Sequence, residues 1–151
     1  MRIAVVAPSC TLSREAADRV RELVEPRGDC ELLIHPQCFL SEGHFAGPDR
    51  ARLTALREVM ADPSIDAVWF ARGGYGSNRI AEAALTDIPE AAQHKTYFGY
   101  SDAGFLLAGL HKAGIEVAWG PMPQDIMRED GQAAVKRALD PANRLNPGRV
   151  L

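Results

Sequence analysis

Two glycine-rich corners hold the residue types that can do chemistry. In the first, Tyr97-Phe98-Gly99-Tyr100-Ser101-Asp102-Ala103-Gly104, an apolar run passes through one glycine to a serine that opens a helical stretch. A serine at such a corner has its hydroxyl lifted above the carboxyl edge of a sheet, with helix amides beneath it, which is the geometry of an activated nucleophile. The flanking pattern is G-x-S-x-A, with Gly99 in the first small position and Ala103 in the second. Small neighbours are needed because the serine backbone is strained there and the helix passes close to the strand. The other use of Ser101 is as a plain helix N-cap.

The second corner, Ala71-Arg72-Gly73-Gly74-Tyr75-Gly76-Ser77, lies one strand–helix unit upstream. A carbonyl attacked by Ser101 becomes an oxyanion, which needs two donors about 2.7–3.1 Å away. The Asp102 amide, at a positive helix terminus, is one candidate. An amide of the Gly73-Gly74 pair, with Gly74 first in line, is the other, because absent side chains let substrate approach. These glycines also suit a turn or a phosphate nest, but the spacing fits neither G-x-G-x-x-G nor the Walker pattern. No cofactor and no metal are expected. The Asp102 side chain is expected to support the corner. Arg72 can pair with a substrate carboxylate bidentately or serve as a surface arginine. Tyr75 and Tyr100 flank the two corners and are the remaining candidate substrate contacts.

A serine nucleophile needs a base. The chain offers His35, His44, His94 and His111. His111 follows Ser101 by about three helical turns, roughly 15 Å along the axis. His35 ends a strand, His94 precedes one, and His44 sits in a long loop from which it could reach a cleft. None has an evident carboxylate to orient it, and each also suits a surface or core role.

The elements that must position these corners alternate. Residues 2–7, 30–34, 65–70, 96–99 and 115–119 read as strands; their apolar runs are bounded by Pro, Gly or Asp. Helices are expected from an Ser13 cap with Ala16, Ala17, Val20 and Val24 on one face, from about 50 to 61 with Asp49 as cap, from about 78 to 85, from Ser101 to about Ala113, and over 131–139. Residues 36–48, holding Pro36, Gly43, Gly47 and Pro48, read as a loop. This alternation implies an α/β fold of three layers, a flavodoxin-like and mostly parallel sheet of about five strands. Ligands bind such sheets at the carboxyl ends of the strands, where both corners fall.

Composition narrows the function classes. The 151 residues are 46% hydrophobic and 25% charged, with a net charge of −3, as in an ordinary globular protein with no pull toward nucleic acid or membrane. Cys10, Cys30 and Cys38 have no metal-ligand spacing and read as reduced thiols in a cytoplasmic protein. The apolar start is too short for a signal peptide, and no run approaches the ~18 residues of a membrane span.

The opening Ile3-Ala4-Val5-Val6-Ala7-Pro8-Ser9, the 71–77 corner, Gly99-Tyr100-Ser101-Asp102 and Trp119-Gly120-Pro121-Met122 together resemble the serine LD-carboxypeptidases, the family that includes microcin C immunity peptidases. The resemblance covers residues 1–139. It implies a nucleophile at Ser101, oxyanion amides at Asp102 and in the Gly73-Gly74 corner, and a sheet related to the class I glutamine amidotransferases. It further implies removal of terminal D-alanine from cytoplasmic murein tetrapeptides in cell-wall recycling, by a metal-free Ser-His-Glu triad. In that family the histidine and glutamate come from a C-terminal domain, which is expected to be absent here, so the base is carried onto no position. On this reading the isolated chain is inactive or nearly so, and a homodimer is one way to cover the vacated surface. The alternatives are an inactive peptide or small-ligand binding module and a fragment of a microcin C-type immunity peptidase. Residues 140–151, with Asp140-Pro141 and Asn146-Pro147-Gly148, depart from the family and resemble the closing tail of FAD-linked hydroxyacid oxidases; without an FAD domain this implies no flavin.

Overall fold

The computed structural model describes residues 1–139, and the atypical tail lies outside the described residues. Five strands form one all-parallel sheet: β1 (Arg2–Val6), β2 (Glu31–Ile34), β3 (Ala67–Phe70), β4 (Thr96–Gly99) and β5 (Val117–Trp119), in the order β2-β1-β3-β4-β5. This order reverses direction between β1 and β3, which opens a crevice at the carboxyl edge of a doubly wound sheet. Five helices connect and flank it: α1 (Arg14–Val24), α2 (Asp49–Ala61), α3 (Ser77–Leu85), α4 (Gly104–Lys112) and α5 (Gly131–Leu139).

The central strands β1 and β3 are apolar on both sides because both faces are covered, whereas edge strand β5 leaves Trp119 70% exposed. Ile3, Val5, Ala67 and Trp69 turn to one face, with Ala16, Ala17 and Val20 of α1 and Val135 of α5. Ala4, Val6, Val68, Phe70 and Tyr97 turn to the other, with α2, α3 and α4. The register pairs Val6 with Phe70 and Trp69 with Phe98, so β1, β3 and β4 end nearly level and their loops share one edge.

Local chemistry explains most boundaries. Ser13 is extended, at φ −71° and ψ 145°, and its hydroxyl accepts from the Ala16 amide at 3.2 Å, the expected cap of α1. Asp49 differs from expectation. It is the first residue of α2 rather than its cap, and its carboxylate pairs with Arg52 and Arg79. Two guanidiniums outbid the backbone amides for that carboxylate. The fifth strand begins at Val117 rather than Ile115; Ile115 is spent in the turn, where its amide donates to Leu110 at 3.0 Å. The 36–48 loop also contains a short 3-10 turn, Pro36–Phe39.

Arg52 is fully buried. Its guanidinium donates to the carbonyls of Gly47 at 3.2 Å and Gly76 at 2.8 Å, and also to that of Pro8. One side chain of α2 thus ties together the loop after β1, the long loop and the glycine-rich corner after β3.

Candidate active site

β4 ends at Gly99, and the chain turns through Tyr100 into a short 3-10 turn, Ser101–Ala103, before α4. Ser101 has φ +57°, one of two non-glycine residues with positive φ among those described. A left-handed serine at a strand–helix junction is a strained backbone held by its surroundings. Its side chain caps nothing. It is exposed and bonds to no described residue, and Tyr100 takes the position before the turn.

What holds the strained corner is the next side chain. Asp102 is 8% exposed, and its Oδ2 accepts from the Ser77 amide at 2.8 Å and from the Ser9 hydroxyl. Ser77 Oγ in turn donates to the Asp102 carbonyl. Asp102 therefore fastens the β4 corner to the start of α3 and to the loop after β1, and its side chain is a structural anchor.

The corner after β3 lies against Ser101. A methyl group added to Gly73 would stand 3.3 Å from Met122 Cε, so the 120–128 segment closes over this corner as well. Gly74 has φ +110°, and a Cβ there would lie 2.4 Å from Cys10 Sγ. Only glycine fits both demands. The amides of Gly73, Gly74 and Asp102 take no part in the hydrogen bonds among the described residues. Two of these donors, at Gly73 and Gly74, line the same cleft as Ser101, and the third follows it in the chain.

The cleft at Ser101 has a volume of about 370 Å³ and is lined by Arg72, Gly73, Gly74, Tyr100, Gln124 and Arg128, among others. Its floor carries a residue that the sequence did not single out. Asp125 is 8% exposed; it accepts from the Tyr100 phenol at 2.9 Å and from the Met122 amide at 2.7 Å, and it faces Arg128 Nε at 3.3 Å. Burial, reinforced by the Asp125 carboxylate, pushes the Tyr100 phenol above its usual value of 10.0, so it stays a donor at neutral pH. The only hint in the sequence was the three-residue spacing of Asp125 and Arg128 just beyond Met122.

Of the expected contacts, Arg72 and Tyr100 line the cleft and Tyr75 does not. The Tyr75 ring is 47% exposed and lies 6.0 Å from Phe45 and 6.1 Å from His44, beyond the glycine corner. None of the four histidines lines the cleft. His35 pairs with Glu58 at 3.0 Å, His44 packs 4.0 Å from Phe45, His94 sits in a 3-10 turn, and His111 is in the last turn of α4. All three cysteines are free, and Cys38 is fully buried. Among the described residues no group of His, Cys, Asp and Glu could hold a metal ion, and no helix is long and apolar enough to cross a membrane.

The LD-carboxypeptidase N-terminal domain family matches residues 3–120. A murein tetrapeptide carboxypeptidase of Pseudomonas aeruginosa is 29% identical over 122 residues, covering 80% of this chain and 39% of that protein. The crystal structure of a muramoyltetrapeptide carboxypeptidase from Oxalobacter formigenes superposes with a TM-score of 0.74 at 26% identity, over 86% of this chain and 43% of that one. The microcin C7 self immunity protein, in its wild-type apo state, gives 0.67 at 25% identity, over 82% and 38%. The chain spans about two fifths of the length of the curated relatives it matches, 41% and 39% for two of them.

Proposed function

The chain belongs to the LD-carboxypeptidase family, and from that premise we propose that it carries the nucleophile half of a serine carboxypeptidase acting on murein tetrapeptides. The observation that carries the reading is the left-handed Ser101, whose side chain bonds to no described residue and lies against Gly73 of a corner where the Gly73 and Gly74 amides have no partner among the described residues. In this reading Ser101 Oγ adds to the carbonyl carbon of the last peptide bond. The tetrahedral oxyanion accepts from the amides of Asp102 and Gly74, in the manner of a preorganised oxyanion hole. Collapse expels the terminal residue, D-alanine, as its nitrogen takes a proton, and water then hydrolyses the acyl-serine. Arg72 and Tyr100 contact the substrate within the cleft, and Tyr75 meets it only beyond the glycine corner. We assign residues 1–139 to this nucleophile-bearing domain and place the reaction in cytoplasmic cell-wall recycling.

The proton that leaves Ser101 needs an acceptor, and no histidine lines the cleft. We assign the base and its orienting acid to a further domain, of the kind the relatives' greater length allows. Without that domain, turnover falls by most of the serine's catalytic power. No cofactor and no metal enter the scheme. The same absence of a nearby histidine favours a second reading, a module that binds the peptide without cleaving it.

The test pairs intact-mass analysis after a serine-directed fluorophosphonate with calorimetric titration by a murein tetrapeptide. Tetrapeptide binding, with any covalent label confined to Ser101, supports the proposal. Tetrapeptide binding without hydrolysis, unchanged by Ser101→Ala even when the C-terminal part of a relative is supplied, favours the binding module. A folded chain that binds no tetrapeptide overturns both.

A further inference from the structure

The Ser101 cleft is lined by more hydrogen-bond donors than its own acceptors use. Gln124 is spent on Ser13, whose amide donates to Oε1 at 2.9 Å and whose hydroxyl receives Nε2 at 3.3 Å. The Asp125 carboxylate is engaged by the Tyr100 phenol and the Met122 amide. Two guanidiniums remain largely free. Arg72 uses Nη1 for a 3.3 Å contact to the Thr11 carbonyl, and Arg128 turns Nε to Asp125 and also contacts the Tyr100 phenol, with its side chain 71% exposed. Each guanidinium has five N–H donors in a fixed fork, so both keep unspent pairs. The lining sets two cations against one carboxylate; Glu129 and Asp130 border the neighbouring cavity instead.

The unspent donors fall into two chemical sets. Neutral backbone amides at Gly73, Gly74 and Asp102 suit one carbonyl oxygen whose charge grows during reaction. A pair of guanidiniums suits a group that is anionic from the start and planar, as a carboxylate is. The end of a peptide presents both groups, the scissile carbonyl of the penultimate residue and the terminal carboxylate of the last one, separated by about one residue, ~3.8 Å. Both fit within one cavity of about 370 Å³.

We propose that Arg128, steered by Asp125 and acting with Arg72, receives the terminal carboxylate of the substrate and so restricts this site to C-terminal peptide bonds. The inference rests on the peptidase reading above. It reaches a residue beyond the stretch 3–120 that the family shares. Asp125 is here a positioning residue: its Oδ1 faces Nε at 3.3 Å and so keeps the Arg128 side chain at the cleft that both residues line.

The test titrates the full 151-residue chain with a murein tetrapeptide bearing a free terminal carboxylate and with the same peptide as its C-terminal carboxamide. The acid is expected to bind about 10–100-fold more tightly, the increment of one or two charge-assisted hydrogen bonds. Arg128→Gln reduces that ratio at least about tenfold, and Arg128→Lys restores only part of it because an ammonium lacks the fork. Equal affinities for acid and amide, or a ratio untouched by Arg128→Gln, overturn this inference and leave the peptidase reading standing. Binding of neither peptide overturns both.

Discussion

Gly73 and Ser101 are in direct apposition: a methyl group built on the Gly73 Cα would stand 3.0 Å from both Cβ and Oγ of Ser101. The glycine is therefore part of the space into which the serine hydroxyl opens. Gly73 itself has no left-handed backbone. Gly73→Ala is expected to cost about 1–2 kcal/mol in thermal stability, because the buried methyl crowds Ser101 and Met122 without straining the backbone. It is expected to weaken tetrapeptide binding by about tenfold or more, one misplaced contact being worth ~1.4 kcal/mol. Calorimetry beside a melting curve checks both halves.

Gly74 adds a strained backbone to the crowding. Its φ of +110° and the 2.4 Å approach to Cys10 Sγ combine two penalties for any side chain. Gly74→Ala is expected to cost about 1–3 kcal/mol in denaturant unfolding. Adding Cys10→Ala removes the sulfur and recovers only part of that loss, because the left-handed backbone remains. Full recovery in the double variant would mean that the clash alone matters.

Asp102 is expected to be the costliest single change at the site. Asp102→Ala leaves the buried Ser77 amide and Ser9 hydroxyl without their common acceptor, a loss of about 2–4 kcal/mol. Asp102→Asn keeps one acceptor oxygen and is expected to lose about half as much. Urea unfolding of the two variants tests the order, and equal losses would show that the charge matters more than the hydrogen bonds.

These contrasts show which parts of the site are legible in a sequence. Gly73, Gly74 and Ser101 are backbone devices encoded within a few residues, so G-G and G-x-S mark them directly. The sheet is legible for a related reason: β3 and β1 from Ile3 onward are apolar and buried because they are covered on both faces, and Ser13 marks the start of α1 by a local hydrogen bond. Asp125 is not legible. Its role comes from the Tyr100 phenol, 25 residues away, and no spacing announces such a contact. Arg52 is equally hidden, since an arginine in an amphipathic helix reads as polar surface, yet three loop carbonyls draw it fully inside. Asp49 was legible as a helix start and misleading in its chemistry, for the arginines that claim its carboxylate lie one turn and 30 residues onward.

Tyr97 carries the one buried side-chain polar atom without a partner among the described residues, its phenolic oxygen. Burial alone pushes that phenol well above its usual value, so it stays neutral and its hydrogen-bonding capacity is wasted. Tyr97→Phe removes the stranded hydroxyl and keeps the ring in the core. It is expected to be neutral or stabilising by up to ~1 kcal/mol, raising the melting temperature by about 2–4 °C. A loss of more than ~1 kcal/mol would mean that an ordered water satisfies the oxygen.

Asp49 gives the fold a defined acid limb. A hydrogen bond from Arg79, with further help from Arg52, holds its carboxyl below its ordinary value of 3.8, and the pair bridges α2 to α3. A carboxylate with a lowered folded pKa stabilises the fold fully above its unfolded value and loses that contribution as pH falls through the folded value. The stability gap between the natural chain and Asp49→Asn is therefore expected to be constant above about pH 5 and to close as pH falls below 3.8. Half-exposure keeps the gap small and salt-sensitive, so it should shrink again at 1 M salt, where the screening length is about 3 Å. Urea midpoints measured from pH 7 down to pH 2.5 at low and high salt give both dependences. A gap that persists at pH 2.5 would assign the stabilisation to packing around Arg79 and Phe45, whose guanidinium and ring lie 5.3 Å apart, in place of the ion pair.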